Sequence, residues 1–175
     1  MSAQLPPIGP TTNAHFEAIG RVAYEWSNVE MVAQNLVAAL AGIPNETALI
    51  VTNSGNLKSW MEIIRRLAFP HCSPELYKDC KRLTEKIDTD LLRDRNTIIH
   101  GLWNTPWEEI FGTRMQPPAD LKSNVTGFKK IGAMRVDKEF DAAEVRAIAD
   151  NINNARRELE WMSVRLIDAL RNKPP

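Results

Sequence analysis

The stretch DAAEVRAIADNINNARRELEWMSVRLIDA, residues 141–169, decides the fold. In it Val145, Ile148, Ile152, Ala155, Leu159, Met162, Leu166 and Ala169 recur at alternating spacings of three and four. An α-helix repeats about every 3.6 residues, so this pattern lays one apolar stripe along one helix face. The opening Asp141-Ala142-Ala143-Glu144 is an acidic variant of the capping box, which starts a helix by satisfying its first free N–H groups. The stripe is just over three heptads long. That suits packing within a bundle better than a dimeric coiled coil.

The chain before it breaks into three further helical regions. The first begins near 11–13, carries Ile19, Val22, Ala23, Trp26, Val29, Ala33, Leu36, Val37 and Leu40 on its apolar side, and stops at Gly42-Ile43-Pro44. A second covers about 46–69, interrupted near Asn53–Asn56, with Trp60, Ile63, Ile64 and Leu67 facing inward. The third runs from Pro74 to Trp103. Residues 104–138 lose the helical period among prolines and glycines, and Lys129–Val136 reads as a short strand. The expectation is a mainly α protein: an antiparallel four-helix bundle with a β-hairpin or ordered loop inserted between helices three and four. Residues 1–10, with Pro6, Pro7 and Pro10, form a flexible lead-in to a single domain over 11–175.

Composition narrows the function classes. At 175 residues and 43% hydrophobic, the chain can bury a real core. Its formal net charge is zero, which argues against avid, non-specific DNA binding. No apolar run approaches membrane-spanning length, and Met1–Pro10 lacks the pattern of a signal peptide. Cys72 and Cys80 are too few for a disulfide scaffold, so a cytoplasmic protein that stays off the membrane is expected.

The chemistry is concentrated in Leu91-Leu92-Arg93-Asp94-Arg95-Asn96-Thr97-Ile98-Ile99-His100-Gly101-Leu102-Trp103. Arginine is a permanent phosphate-binding fork, and histidine trades a proton near neutral pH. Arg95 falls inside the apolar arc of its helix, so it must have a partner, line a cleft or sit at a subunit seam. Asn96 and His100, four residues apart, share a face. Arg95 and His100 are offset by roughly 140°, so they meet only if the arginine side chain curls around the helix. Arg93 is almost in line with His100 and is a second candidate for the cationic role. The plainer alternative is a helix C-terminus with a dipole-stabilised histidine.

Arg95-Asn96-Thr97-Ile98-Ile99-His100 resembles the R-[N/D/H]-x-x-x-H signature of the HEPN superfamily, helical bundles that include many metal-independent RNases of toxin and antiviral systems. The resemblance is sharp over about ten residues and architectural elsewhere. It implies an endoribonuclease that needs no metal or other cofactor and cleaves by attack of the RNA's own 2′-hydroxyl, leaving a cyclic phosphate. His100 would then be the general acid or base, and Arg95 would stabilise charge on the phosphorane. Asn96 would fix the scissile phosphate or the imidazole. Two motifs facing each other across a two-fold axis would supply both acid and base, so a homodimer is implied, with an antitoxin or defence-system protein as a further partner. The tyrosine that commonly follows the histidine by one intervening residue in toxins paired with a nucleotidyltransferase is not present, because Leu102 occupies that place. The rival class is a non-catalytic HEPN-like module that binds a protein or a nucleotide.

Other residues are weighed against simpler roles. Glu30 lies on the first helix's apolar stripe and wants a cation, which Arg95 would provide in a supporting role. The segment 113–138 is locally basic. Its Lys129, Lys130 and Arg135 are RNA-binding candidates or a solvated loop. Trp103 is a base-stacking candidate or a packing aromatic. His71, Cys72 and Cys80 make a poor zinc set without a fourth ligand, and no metal site is expected. His15 reads as a surface residue near a helix start.

Overall fold

The structure is a computed structural model that describes residues 12–52, 55–100, 102–103, 123–128 and 135–172. It is mainly helical. Helix α1 spans Asn13–Ala41, α2 Asn45–Thr52, α3 Leu57–Ala68 and α4 Pro74–Lys86. A π-helical segment, Ile87–Leu91, leads directly into α5, Leu92–His100, and the last helix, α6, spans Ala142–Arg171. Between α5 and α6 lie three short strands, β1 Leu102–Trp103, β2 Ser123–Phe128 and β3 Arg135–Phe140. They form an antiparallel sheet in the order β1-β2-β3, with Leu102 opposite Thr126 and Ser123 opposite Phe140.

Local chemistry sets the helix ends. Asn56 and Ser73 cap α3 and α4 by accepting the N–H groups of Ser59 at 3.0 Å and Leu76 at 3.2 Å. At the start of α6, Asp141 N–H donates to Glu144 and Glu144 N–H donates to Asp141, at 2.8 and 2.7 Å. That is the reciprocal pairing of a capping box. Gly42 follows α1 with φ of 65°, a left-handed conformation that a side chain resists.

The residues group into two compact units. The first joins 1–23 to 94–149, and its buried residues include Ala18, Val22, Ile98, Phe140, Ala142, Val145 and Ala149. His15 belongs to this core. It is wholly buried rather than on the surface, with Thr12 N–H donating to Nδ1 at 3.2 Å and Nε2 3.3 Å from the Phe140 carbonyl oxygen. The imidazole thus bridges the start of α1 and the end of β3. A polar ring can be buried there because both nitrogens have partners.

The second unit joins 24–93 to 150–175. Trp26, Val29, Ala33 and Leu36 of α1, Trp60, Met61 and Ile64 of α3, Leu83 of α4, Ile87, and Ile152, Ala155, Leu159, Met162 and Leu166 of α6 are all buried. In α6, Ala149 rather than Ile148 continues the buried stripe, and in α1 Ala23 is exposed. A strict three-four alternation drifts slightly against the 3.6-residue period, so the buried residue shifts by one position.

Two buried charge clusters hold this unit. Asp88, in the π segment, takes both terminal nitrogens of Arg65 on one oxygen, each at 2.9 Å. Arg65 also donates to Glu62 through Nε and Nη2, at 3.3 and 3.0 Å. Elsewhere Arg156 of α6 lies 3.7 Å from the buried Glu25 of α1 and also binds Asn153 and Glu160. Burial by itself would lower the Arg65 pKa, but the hydrogen bonds to Asp88 and Glu62 reverse this and raise it.

The Arg65–Asp88 side chains are 14% and 4% exposed, so removing one strands the other. Arg65→Ala is therefore expected to lower the unfolding free energy by roughly 3–5 kcal/mol in a urea titration. Replacing both partners with apolar residues, Arg65→Met with Asp88→Leu, should return most of that loss. A single variant as stable as the parent would refute the pairing as a stability element. Gly42→Ala should cost about 1 kcal/mol, from forcing a Cβ into the left-handed region.

Candidate functional site

Arg95, Asn96 and His100 all lie on α5, in the first unit. Arg95 is half-buried, while Asn96 and His100 are exposed. The arginine does curl round its helix. Its Nη1 donates to His100 Nε2 at 2.9 Å and to Asn96 Oδ1 at 3.0 Å. The offset of the two backbone positions is thus spanned by the length of one side chain.

This geometry assigns the imidazole's nitrogens. A guanidinium only donates, so His100 Nε2 must present its lone pair, which leaves the ring proton on Nδ1. Nε2 is then the nitrogen that carries the lone pair, and Nδ1–H a hydrogen-bond donor. Asn96 touches Arg95 through its carbonyl oxygen, which leaves its amide N–H₂ directed elsewhere. One guanidinium nitrogen, one imidazole nitrogen and one amide therefore share a small exposed cluster. Such a set can bind an anion and move a proton.

The remaining candidates separate from it. Glu30 accepts the indole N–H of Trp26 at 2.9 Å, so its partner is a neutral donor one turn earlier on the same helix. Arg93, in the second unit, pairs with Asp90 at 3.4 Å and is 68% exposed. Trp103 is not on the helix that carries the motif: α5 ends at His100, and Trp103 stands in β1 opposite Val125. Gly101 lies between, and glycine is the commonest residue to follow a helix C-terminus. Arg135 opens β3 opposite Phe128, whereas Lys129 and Lys130 lie outside the described residues, as does Trp107.

Charged residues missed by the periodicity argument are Glu25, Arg156, Arg65 and Asp88. The signal was present for two of them. Glu25 follows Val22 by three residues and precedes Val29 by four, and Arg156 sits between Ile152 and Leu159 in the same way. Each is on a buried stripe by spacing.

Among the described residues no three His, Cys, Asp or Glu side chains gather as a metal would require. Burial pushes the Cys80 thiol up to about 11, and raises that of Cys72. Both thiols are therefore protonated at neutral pH, and neither is primed as a nucleophile. At pH 8, iodoacetamide should label the partly accessible Cys72 before the buried Cys80, with Cys80 following only as denaturant opens the chain. Equal labelling of both in buffer, read by mass spectrometry, would contradict this burial.

No protein-family model, no curated protein and no solved structure matches the chain. Among the described residues no helix is long and apolar enough to cross a membrane.

Proposed function

We propose that the chain is a HEPN-like metal-independent endoribonuclease, acting in the cytoplasm as a toxin or phage-defence effector. The observation that carries this reading is the 2.9 Å contact between Arg95 Nη1 and His100 Nε2, with Asn96 on the same guanidinium nitrogen. It brings the two functional groups of the motif together despite their separation around the helix. In this reading the mainly helical chain is an antiparallel four-helix bundle, and the inserted hairpin or ordered loop is the segment that carries β1–β3, between α5 and α6.

In this mechanism the phosphodiester replaces His100 as the acceptor of Arg95. The guanidinium neutralises the two equatorial oxygens as negative charge builds on them. His100 Nε2, released from Arg95, takes the 2′-hydroxyl proton, and the oxygen attacks the adjacent phosphorus. The P–O5′ bond breaks and leaves a 2′,3′-cyclic phosphate. A second His100, from the other subunit of a symmetric dimer and in its imidazolium form, protonates the departing 5′-oxygen and is left neutral, while the first His100 becomes imidazolium. No metal-bound water is required, because the nucleophile belongs to the substrate.

His100→Ala and Arg95→Ala should each slow RNA cleavage by two or more orders of magnitude. Arg93→Ala should be mild. Cleavage should persist in EDTA, spare DNA, and yield cyclic-phosphate ends detectable by mass spectrometry. Strict magnesium dependence would overturn the mechanism, and unchanged cleavage by both variants would move the activity elsewhere.

The same contact also favours a second reading. Arg95 Nη1 and His100 Nε2 are bonded to each other, as they would be in a HEPN-like helical module that binds a protein or nucleotide without catalysis. A dimer that persists in His100→Ala, from a parent that cuts no RNA, would decide for it.

A further inference from the structure

The second unit carries a feature the motif does not use. Helices α3 and α4 are joined by a short turn, and between them lies a groove of about 400 Å³ lined by Glu62, Arg65, Arg66, Phe69, Tyr77 and Lys81, with Glu85 at one end. Spacing explains the lining. Residues 62, 65, 66 and 69 fall on one face of α3 and its extension, and 77, 81 and 85 fall on one face of α4. From Leu57 to Lys86 the chain carries seven lysines and arginines against four carboxylates, although its formal net charge is zero. Asp88, just beyond this segment, offsets Arg65 directly, and acidic residues elsewhere in the sequence balance the rest.

The cations in the groove are not equivalent. Arg65 spends Nε, Nη1 and Nη2 on Glu62 and Asp88, and is 14% exposed. It is a clamp. Arg66 is 78% exposed and uses only Nε, which donates to Glu62 Oε1 at 2.8 Å. Its two terminal nitrogens are left as a pre-oriented fork, the geometry that recognises a phosphate. Glu62 is saturated by these two arginines, whose hydrogen bonds (Arg66 first, then Arg65) lower its pKa. It stays ionised and orients Arg66. Lys81 lies 3.8 Å from Glu85, a loose ion pair that a phosphate can replace.

An aromatic surface stands beside these cations. Phe69 is 66% exposed, and it meets Tyr77 edge-to-face with ring centroids 5.1 Å apart. An exposed phenylalanine at a helix end is costly to hydrate and gains by stacking. A pre-oriented cationic fork, a mobile ammonium and a fixed aromatic ring form the recognition set for single-stranded nucleic acid, in which bases stack while phosphates pair.

We propose that the α3–α4 groove is a binding site for single-stranded nucleic acid, with a base stacked on Phe69 and flanking phosphates on Arg66 and Lys81. The proposal deepens the RNA reading by giving the strand a second foothold, but it does not depend on cleavage.

The test measures fluorescence anisotropy of a labelled 2′-O-methyl oligouridine twelve nucleotides long, titrated with the full chain at several salt concentrations. This probe cannot be cyclised, so binding is read independently of any nuclease activity. Arg66→Ala and Lys81→Ala should each weaken binding about tenfold at low salt, and each should reduce the slope of log affinity against log salt by about one. Phe69→Ala should weaken binding by roughly five- to a hundredfold with the slope unchanged, and Phe69→Trp should restore it. Circular dichroism should show all four variants folded, because the altered side chains are largely exposed. A parent that fails to bind overturns the proposal. So does parental affinity in the Arg66 and Phe69 variants. Loss in the arginine and lysine variants with no effect of Phe69→Ala would reveal a general polyanion patch, likewise against it. Equal displacement by oligodeoxyuridine supports the site and shows that it reads base and phosphate alone, whereas preference for the ribose-type strand supports it with added sugar contacts. If the probe binds as expected while His100→Ala leaves RNA cleavage intact, the groove stands and the motif reading falls.

Discussion

A carboxylate removed from water needs a cation, and in this protein Asp88 finds one in Arg65. Much of the second unit is arranged around that requirement. Asp88 lies in a π-helical segment in which Ile87, Asp88 and Leu91 are all buried. Ile87 and Leu91 bring apolar packing, while Asp88 brings a charge that only a long, always-ionised side chain from α3 can meet. Arg65 fills that role and at the same time holds Glu62, which in turn holds Arg66. A burial constraint at one point thus orders a chain of side chains out to the surface. The exposed end of the chain, the Arg66 fork, is positioned by a buried group it never touches.

Helices with one apolar stripe and a clear stop were legible in the sequence. The α6 stripe, its capping pair Asp141 and Glu144, and the Gly42 stop of α1 rest on local chemistry, and local chemistry is what a sequence records. The π segment was not legible, because its buried residues Ile87, Asp88 and Leu91 fit the face of an ordinary α-helix equally well. His15 was misjudged for a different reason. A histidine two residues inside a helix start is ordinarily wet, and the partner that helps to bury this one beside Thr12, the Phe140 carbonyl, lies 125 residues away. The assignment of a buried carboxylate to Glu30 rather than Glu25 shows the resolution limit of helical periodicity. Both flank the same stripe, and the partner that separates them, Arg156, comes from another helix.

In the candidate site, spacing alone put Arg95 and His100 on divergent directions, and side-chain length brought them to 2.9 Å. Residue identity was therefore more informative than position. A lysine at 95 would offer a point charge without the planar fork of a guanidinium. The pairing also carries a chemical implication about the resting state. Arg95 Nη1 covers the Nε2 lone pair of His100, so in this arrangement that nitrogen is already engaged.

The first unit is assembled from the beginning of the sequence and a distant later portion, sealed by the ring of His15 against Phe140. During synthesis the ribosome emits α1 and then α5, with Arg95 and His100, well before β3 and the first turns of α6 exist. Until those arrive, the imidazole of His15 lacks the Phe140 carbonyl, and the first unit lacks the buried Phe140, Val145 and Ala149. Contacts so far apart in sequence close slowly, because loop entropy is lost before they stabilise anything. Completion of the unit that bears the motif is thereby tied to translation of nearly the whole described chain, and a truncated nascent product would present the same six residues without the framework that arranges them.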